Sequence, residues 1–236
     1  MRKIYELDKH DVVPTSLEVL AWQKMPERSV PPRIARLIDE AIGVFHDTAQ
    51  PLRLMEDFDM GGFPELYKGR GNNAQDGPIP GIVARANASA LMAVTMGEAP
   101  AIKCREFLEQ GKASLGYMLN VVGAAGADRM GGKMCRIFLE HLQASSENSE
   151  TKDIRVQYYS PGHCGWHISG QEKLFDALHP DEIGISIDAH CIMHPFKSLS
   201  GILAAGPMEI HRFHQSFSFC PQCRERKCVE RIKQLA

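Results

Sequence analysis

The sequence has no apolar run of membrane-spanning length, and its first residues, MRKIYELDKHDVV, lack the apolar core of a signal peptide. No membrane association is expected, and the expected location is the cytoplasm. Net charge is nearly missing too: 27 Lys and Arg stand against 29 Asp and Glu, a formal −2. That balance supplies no basic surface for nucleic acid. There is no internal repeat and no low-complexity segment. The Gly61–Gly81 stretch has no phosphate-binding spacing, and Ser160 precedes a proline outside any nucleophile-elbow context. Phosphate-loop and Ser/His/Asp chemistry therefore find no support.

What is present fits one large globular domain, or one with an N-terminal extension: 236 residues, 44% hydrophobic and 24% charged. The expected division is an extension over 1–30, an α+β domain over 31–210 and a Cys-rich tail over 211–236. A short helix is expected over Ser16–Trp22, capped by Thr15 or Ser16 and stopped by the prolines that follow. Ile34, Leu37, Ile38, Ala41, Ile42 and Phe45 recur at helical spacing behind Pro32, which suits a first turn. Leu52–Phe58 reads as a strand, 61–80 as a mobile Gly/Asn/Pro loop, and Ile79–Met96 as a strand with an ambiguous first half. Helices are expected over about 99–110 and 114–143. The second contains Gly116, Gly123, Gly126, Gly131 and Gly132, and each interior glycine costs about 1 kcal/mol against alanine. Close packing of the helix on a sheet explains them best. Approach to a flat ligand is the sharper alternative.

The stretch Arg155–Pro207 concentrates the chemistry-bearing side chains. A β-rich run, Val156 to Tyr159, breaks at Ser160-Pro161-Gly162 and is followed by His163, Cys164, Trp166 and His167. A short amphipathic helix leads to a second apolar strand, 183–187, and to His190-Cys191-Ile192-Met193-His194-Pro195. A third apolar run, Leu199–Ala205, closes the stretch. On an extended strand His190 and Cys191 point to opposite faces, so they converge only if a turn begins there. Trp166 reads best as a packing residue, and Cys191 likewise. His163 is evenly balanced between a metal-facing imidazole and a surface histidine bonded to backbone.

Seven cysteines are present, three of them in the last seventeen residues. Cys220, Cys223 and Cys228 form C-x2-C-x4-C, which lets two thiolates reach one ion from a tight turn. Zinc and an iron–sulfur cluster both suit this spacing. Arg224, Arg226, Lys227 and Arg231 would offset thiolate charge. Candidates for a fourth ligand are His163, Cys164, Cys191, His211 and His214. The residues after 223 read as a short basic helix.

At SPGHCGW, QEKLF, IGISI and CIMHPFKSLSG the chain resembles the activation (reactivation) domain of cobalamin-dependent methionine synthase, in the stand-alone form found beside corrinoid-protein methyltransferase systems. The resembling core is about 155–207, with weaker similarity over 31–45 and 99–142. The resemblance implies a C-shaped α+β domain built on a twisted antiparallel sheet flanked by helices. It implies S-adenosylmethionine binding, docking on the corrin face of a cobalamin domain, and support of reductive methylation with an electron from a flavoprotein. The candidate cofactor-binding residues are then Tyr158, Tyr159, Ser160, Gly162, His163, Cys164 and Trp166. The candidate metal ligands are Cys220, Cys223, Cys228, His163 and Cys191. Where the family has an Arg four residues before the turn glycine and a Gly-Tyr, this chain has Tyr158, Gly162 and His163, with Arg155 three residues before Tyr158. Where it has a carboxylate on the long helix, this chain has Gly132 or Arg136. The expected cofactor is cobalamin or another corrinoid, and the expected partners are a corrinoid protein or corrinoid methyltransferase and an electron donor. A zinc or iron–sulfur module is the second reading, and an S-adenosylmethionine-binding activator the third.

Overall fold

A computed structural model describes residues 2–26, 30–145, 153–212 and 217–222. Five strands form one antiparallel sheet in the order β1-β2-β3-β7-β4: β1 is Arg2–Glu6, β2 Leu52–Asp57, β3 Ala88–Thr95, β4 Ile154–Tyr159 and β7 Ser198–Pro207. Along β3, Ala90, Met92 and Val94 enter one core while Leu91 and Ala93 enter the other. Along β7, Leu203 and Ala205 oppose Ile202 and Ala204 in the same way. Successive side chains alternate across a strand, so two uninterrupted apolar strands require cover on both faces. The sheet is therefore the middle of three layers.

One outer layer holds α1 (Lys9–Val12), α2 (Ser16–Trp22), α3 (Pro32–Thr48), α6 (Ala99–Glu109) and α7 (Ala113–Ser145). The other holds α4 (Phe63–Lys68), α5 (Ile79–Val83) and α8 (Gly170–Leu178). Thr15 caps α2 in a capping box with Glu18. In α3 the buried residues Ile38, Ala41 and Phe45 recur at helical spacing.

The glycines of α7 are mostly contact points. A Cβ on Gly126 would lie 3.0 Å from the Phe45 ring, one on Gly116 3.0 Å from the Cys104 carbonyl, and one on Gly131 2.6 Å from the Tyr158 ring. Close packing accounts for these. Gly132 has nothing within 4 Å.

Several expectations are corrected. The 1–30 segment supplies β1, which extends the sheet beyond β2, and it buries Val12, Val19 and Leu20 in the core. Its strand escaped notice because every residue of β1 is exposed, leaving no apolar alternation to read. The 61–80 stretch holds α4, which buries Phe63 and Leu66. The ambiguous half of 79–96 is helix α5. The 183–187 run is no strand of the main sheet: Gly184, at φ 75°, ends a 3-10 turn. Only β5 (Ser186–Ile187) pairs, with β6 (Met193–His194), as a separate hairpin. The expected helix after 223 lies outside the described residues.

Candidate functional site

β4 delivers the chain to Ser160 at the end of the sheet, and tight turns follow. The Gly162 N–H donates to the Trp166 carbonyl at 2.7 Å, and the Trp166 N–H to the His163 carbonyl at 2.9 Å. Gly162, Cys164 and Gly165 all have positive φ, at 90°, 51° and 78°. Glycine adopts that region freely, while Cys164 is held there by its surroundings.

The turn is clamped from beneath. Trp166 is 1% exposed, edge-on to Phe63 and tilted against Tyr67, each with ring centroids 5.6 Å away. Burial, with the neighbouring Cys164 adding to it, pushes the Tyr67 phenol up to about 12. Cys164 is 6% exposed and Tyr159 5%. Tyr159 reaches buried His211, with its hydroxyl 2.8 Å from Nδ1, and His211 Nε2 lies 3.2 Å from the Arg155 carbonyl. A carbonyl only accepts, so Nε2 carries the proton and Nδ1 accepts from Tyr159. Burial lowers the His211 pKa, partly opposed by the bond to Arg155. Behind the turn, the Ser200 hydroxyl donates to Gln171 Oε1 at 2.6 Å, with both residues buried.

A second clamp comes from residues 70–77. Asn73 Oδ1 accepts the His167 N–H at 2.8 Å, and the Ala74 N–H donates to the Gly165 carbonyl at 2.9 Å. Arg70 bonds Glu172 through Nε at 2.9 Å, which holds the Glu172 carboxyl below its usual range. Segment 217–222 rests on the same corner. Ser218 donates its N–H and hydroxyl to Asp76 at 2.8 and 2.9 Å, lowering the Asp76 pKa. The Phe219 ring fills the space beside Gly165, where a Cβ would lie 2.9 Å from it. Nothing in the pattern of 70–77 beyond its turn-forming residues points to this clamping role, and Asn73 and Asp76 belong to no motif.

The named residues thus divide. Tyr159, Ser160, Cys164 and Trp166 are buried supports, while Gly162 is exposed and His163 half-buried. Tyr158 faces α7 on the opposite side of the sheet from Tyr159, with its ring over Gly131. Strand alternation puts Arg155 on the Tyr159 side, so it does not stand in for the arginine that Tyr158 replaces. Asp188 shapes the hairpin tip: its Oδ1 accepts N–H groups of His190 and Ile192, and buried Cys191 sits at φ 61°. A turn does begin there, but His190 and His194 are exposed. Among the described residues no group of three or more His, Cys, Asp or Glu could hold a metal ion. Cys220 occupies a short 3-10 turn, and Cys223, Cys228 and His214 lie outside the described residues. Among the described residues no helix is long and apolar enough to cross a membrane.

A five-stranded antiparallel sheet between two helical layers matches the reactivation-domain fold. A solved structure described as the MetH reactivation domain bound to AdoHcy is similar to this chain with a TM-score of 0.57. The match covers 92% of this chain and 80% of that one at 12% sequence identity, so the shared property is the fold. No family model matches the chain, and no curated protein sequence matches it.

Proposed function

We propose that the chain binds a corrinoid, or a protein carrying one, through the 160–167 turn and assists its reductive reactivation or methyl transfer. The supporting observation is the turn itself: a loop clamped by Asn73 and Ala74 that carries half-buried His163 and has Tyr159 and Trp166 buried as its supports. Neutral imidazole is a good ligand for borderline transition metals, so His163 fits a cobalt-bearing face. A bound corrinoid would supply the methyl-transfer and one-electron chemistry. The chain's residues would supply position and shape, with the turn's backbone fixed before the partner arrives. A corrinoid methyltransferase and an electron donor are the matching partners. The test is to mix the protein with cob(II)alamin, and separately with a corrinoid protein, and record visible and EPR spectra and co-elution. A spectral change lost in His163→Ala is expected. Unchanged spectra together with absent co-elution overturn the reading.

A second reading is favoured by the neighbour bound to AdoHcy. Asp128, three residues before the Tyr158 contact at Gly131, is an exposed carboxylate on α7. A cationic sulfonium would be drawn to it. Calorimetric titration with S-adenosylmethionine at micromolar affinity would put this reading first.

A further inference from the structure

β1 is one edge of the sheet, and among the described residues only β2 pairs with it. The Leu7 N–H donates to the Pro51 carbonyl at 2.9 Å, one step beyond the pairing of Glu6 with Leu52. Hydrogen-bonded pairs alternate with non-bonded ones along an antiparallel ladder. Tyr5 and Lys3 therefore bond β2, at Arg53 and Met55, while Arg2, Ile4 and Glu6 turn their N–H and C=O groups away from it. Among the described residues no other segment takes up these outward groups. Such a row is a template for a further strand.

The side chains are equally open. Every residue of β1 is exposed, Ile4 by 43% and Tyr5 by 47%. Arg2 and Ile4 lie on the α8 face of the sheet: Arg2 bonds the Leu178 carbonyl at 3.1 Å, and Ile4 stands opposite Leu54. Lys3 and Tyr5 lie on the α7 face, opposite Met55 and Arg53, with the Arg53 guanidinium 4.9 Å from the Tyr5 ring centroid.

The strand Arg2-Lys3-Ile4-Tyr5-Glu6 is complementary to itself. Reversed about Ile4, it sets Arg2 opposite Glu6, Lys3 opposite Tyr5, and Ile4 opposite Ile4. All of its residues then pair, and the outward groups of Arg2, Ile4 and Glu6 meet one another as bonded pairs. Opposite charges and apolar pairs directly across strands stabilise, and like charges destabilise. A two-fold axis at Lys3 would oppose two lysines, and one at Tyr5 would leave Arg2 and Lys3 outside the pairing. An edge lysine ordinarily repels a neighbouring edge, but in the Ile4 register it faces an aromatic ring.

We propose that a second copy of this chain docks antiparallel on β1, with Ile4 against Ile4, and continues the sheet through a two-fold axis. The charge complementarity of the strand with itself selects a second copy as the occupant. Five residues a side are fewer than the roughly 20–30 of a standard interface, so the dimer is weak and depends on concentration. The inference is independent of corrinoid binding, because β1 lies at the edge opposite β4, from which the 160–167 turn issues.

The test is sedimentation equilibrium of the full chain from micromolar to millimolar concentration, with residue-resolved amide exchange over the same range. The average mass is expected to rise toward that of a dimer. Exchange at Ile4 and Glu6 is expected to slow several-fold, and exchange at Tyr5, already bonded to β2, to change less. Ile4→Pro removes an outward N–H and no bond to β2, at a position where an edge strand accepts proline. It should be monomeric with unchanged circular dichroism. A wild-type chain that stays monomeric overturns the proposal; if its Ile4 and Glu6 amides are nonetheless protected, the edge belongs to another segment of the chain. A dimer in which those amides exchange as in the monomer, or one that survives Ile4→Pro, overturns it as well. If Ile4→Pro fails to fold, Glu6→Arg decides, because it sets like charges opposite Arg2. Its dimer should dissociate several-fold more readily, and an unchanged dissociation constant overturns the proposal.

Discussion

Gly131 and Gly132 are neighbours in one helix, yet alanine at the two positions should act in opposite directions. Each replacement gains about 1 kcal/mol of helix propensity. At Gly132 the new methyl group meets nothing within 4 Å, so the whole gain is kept. At Gly131 it would lie 2.6 Å from Tyr158 Cε1 and 2.7 Å from Cζ. The ring must slide along α7, or β4 must lift, and overpacking of this kind costs about 1–3 kcal/mol. The net effect of Gly131→Ala is then between about neutral and 2 kcal/mol destabilising. In a chain of this size 1 kcal/mol moves the melting temperature by roughly 2–4 °C. Thermal and urea unfolding, followed by circular dichroism, should separate the two variants. The decisive measurement is the cycle with Tyr158→Ala. Without the ring, Gly131→Ala should become stabilising by about 1 kcal/mol, like Gly132→Ala. The reasoning is refuted if Gly131→Ala already matches Gly132→Ala in the wild-type background, or if it still destabilises once the ring is gone.

Two further outcomes follow from titrating groups around the turn. His211 is buried with its pKa lowered, so the unfolded chain takes up its proton first as pH falls. Its contribution is complete above the unfolded value of about 6.5 and declines as pH drops toward the lower folded value. Urea midpoints should therefore fall across that window, and His211→Gln should flatten the slope; an unchanged slope removes His211 as its source. Asp76 is held ionised by Ser218, so its tie to segment 217–222 is intact above the ordinary carboxylate range and lost as pH falls through the lowered folded value. Amide hydrogen exchange at Ser218 should rise in Asp76→Asn at neutral pH, and equal protection in the two proteins would mean that the Phe219 contact alone seats the segment.

Much of the framework was legible because burial leaves a period in the sequence. Pro32 to Phe45 announced α3, and Leu52–Phe58 announced β2. What escaped was set by tertiary contact. β1 exposes every residue and exists because β2 offers an edge. The 183–187 run has strand composition, but a left-handed Gly184 breaks it. The site was half legible. Ser160-Pro161-Gly162 marked the turn, since proline and glycine state their backbone angles. The clamp by Asn73, Ala74 and Asp76 left no mark, because an asparagine that bonds a distant amide looks like any loop asparagine.

Burial also constrains what the turn can recognise. Tyr159 and Trp166, the aromatic rings nearest the turn by sequence, are held below it, and Tyr158 packs on the far side of the sheet. A partner approaching the turn meets Gly162, His163 and exposed His167. Residues 160–167 themselves offer it no exposed Phe, Tyr or Trp and no Asp, Glu, Lys or Arg. Binding would rest on the shape of a backbone fixed in advance and on one or two imidazoles, and such a surface loses little entropy when it docks. Residues 160–167 hold no Asp, Glu, Lys or Arg, so affinity carried by the turn would respond little to added salt. Affinity carried by the carboxylate of Asp128 would weaken with added salt instead. The two readings of the fold therefore part on one axis: docking through the turn is little affected by ionic strength, and a sulfonium held beside α7 follows it.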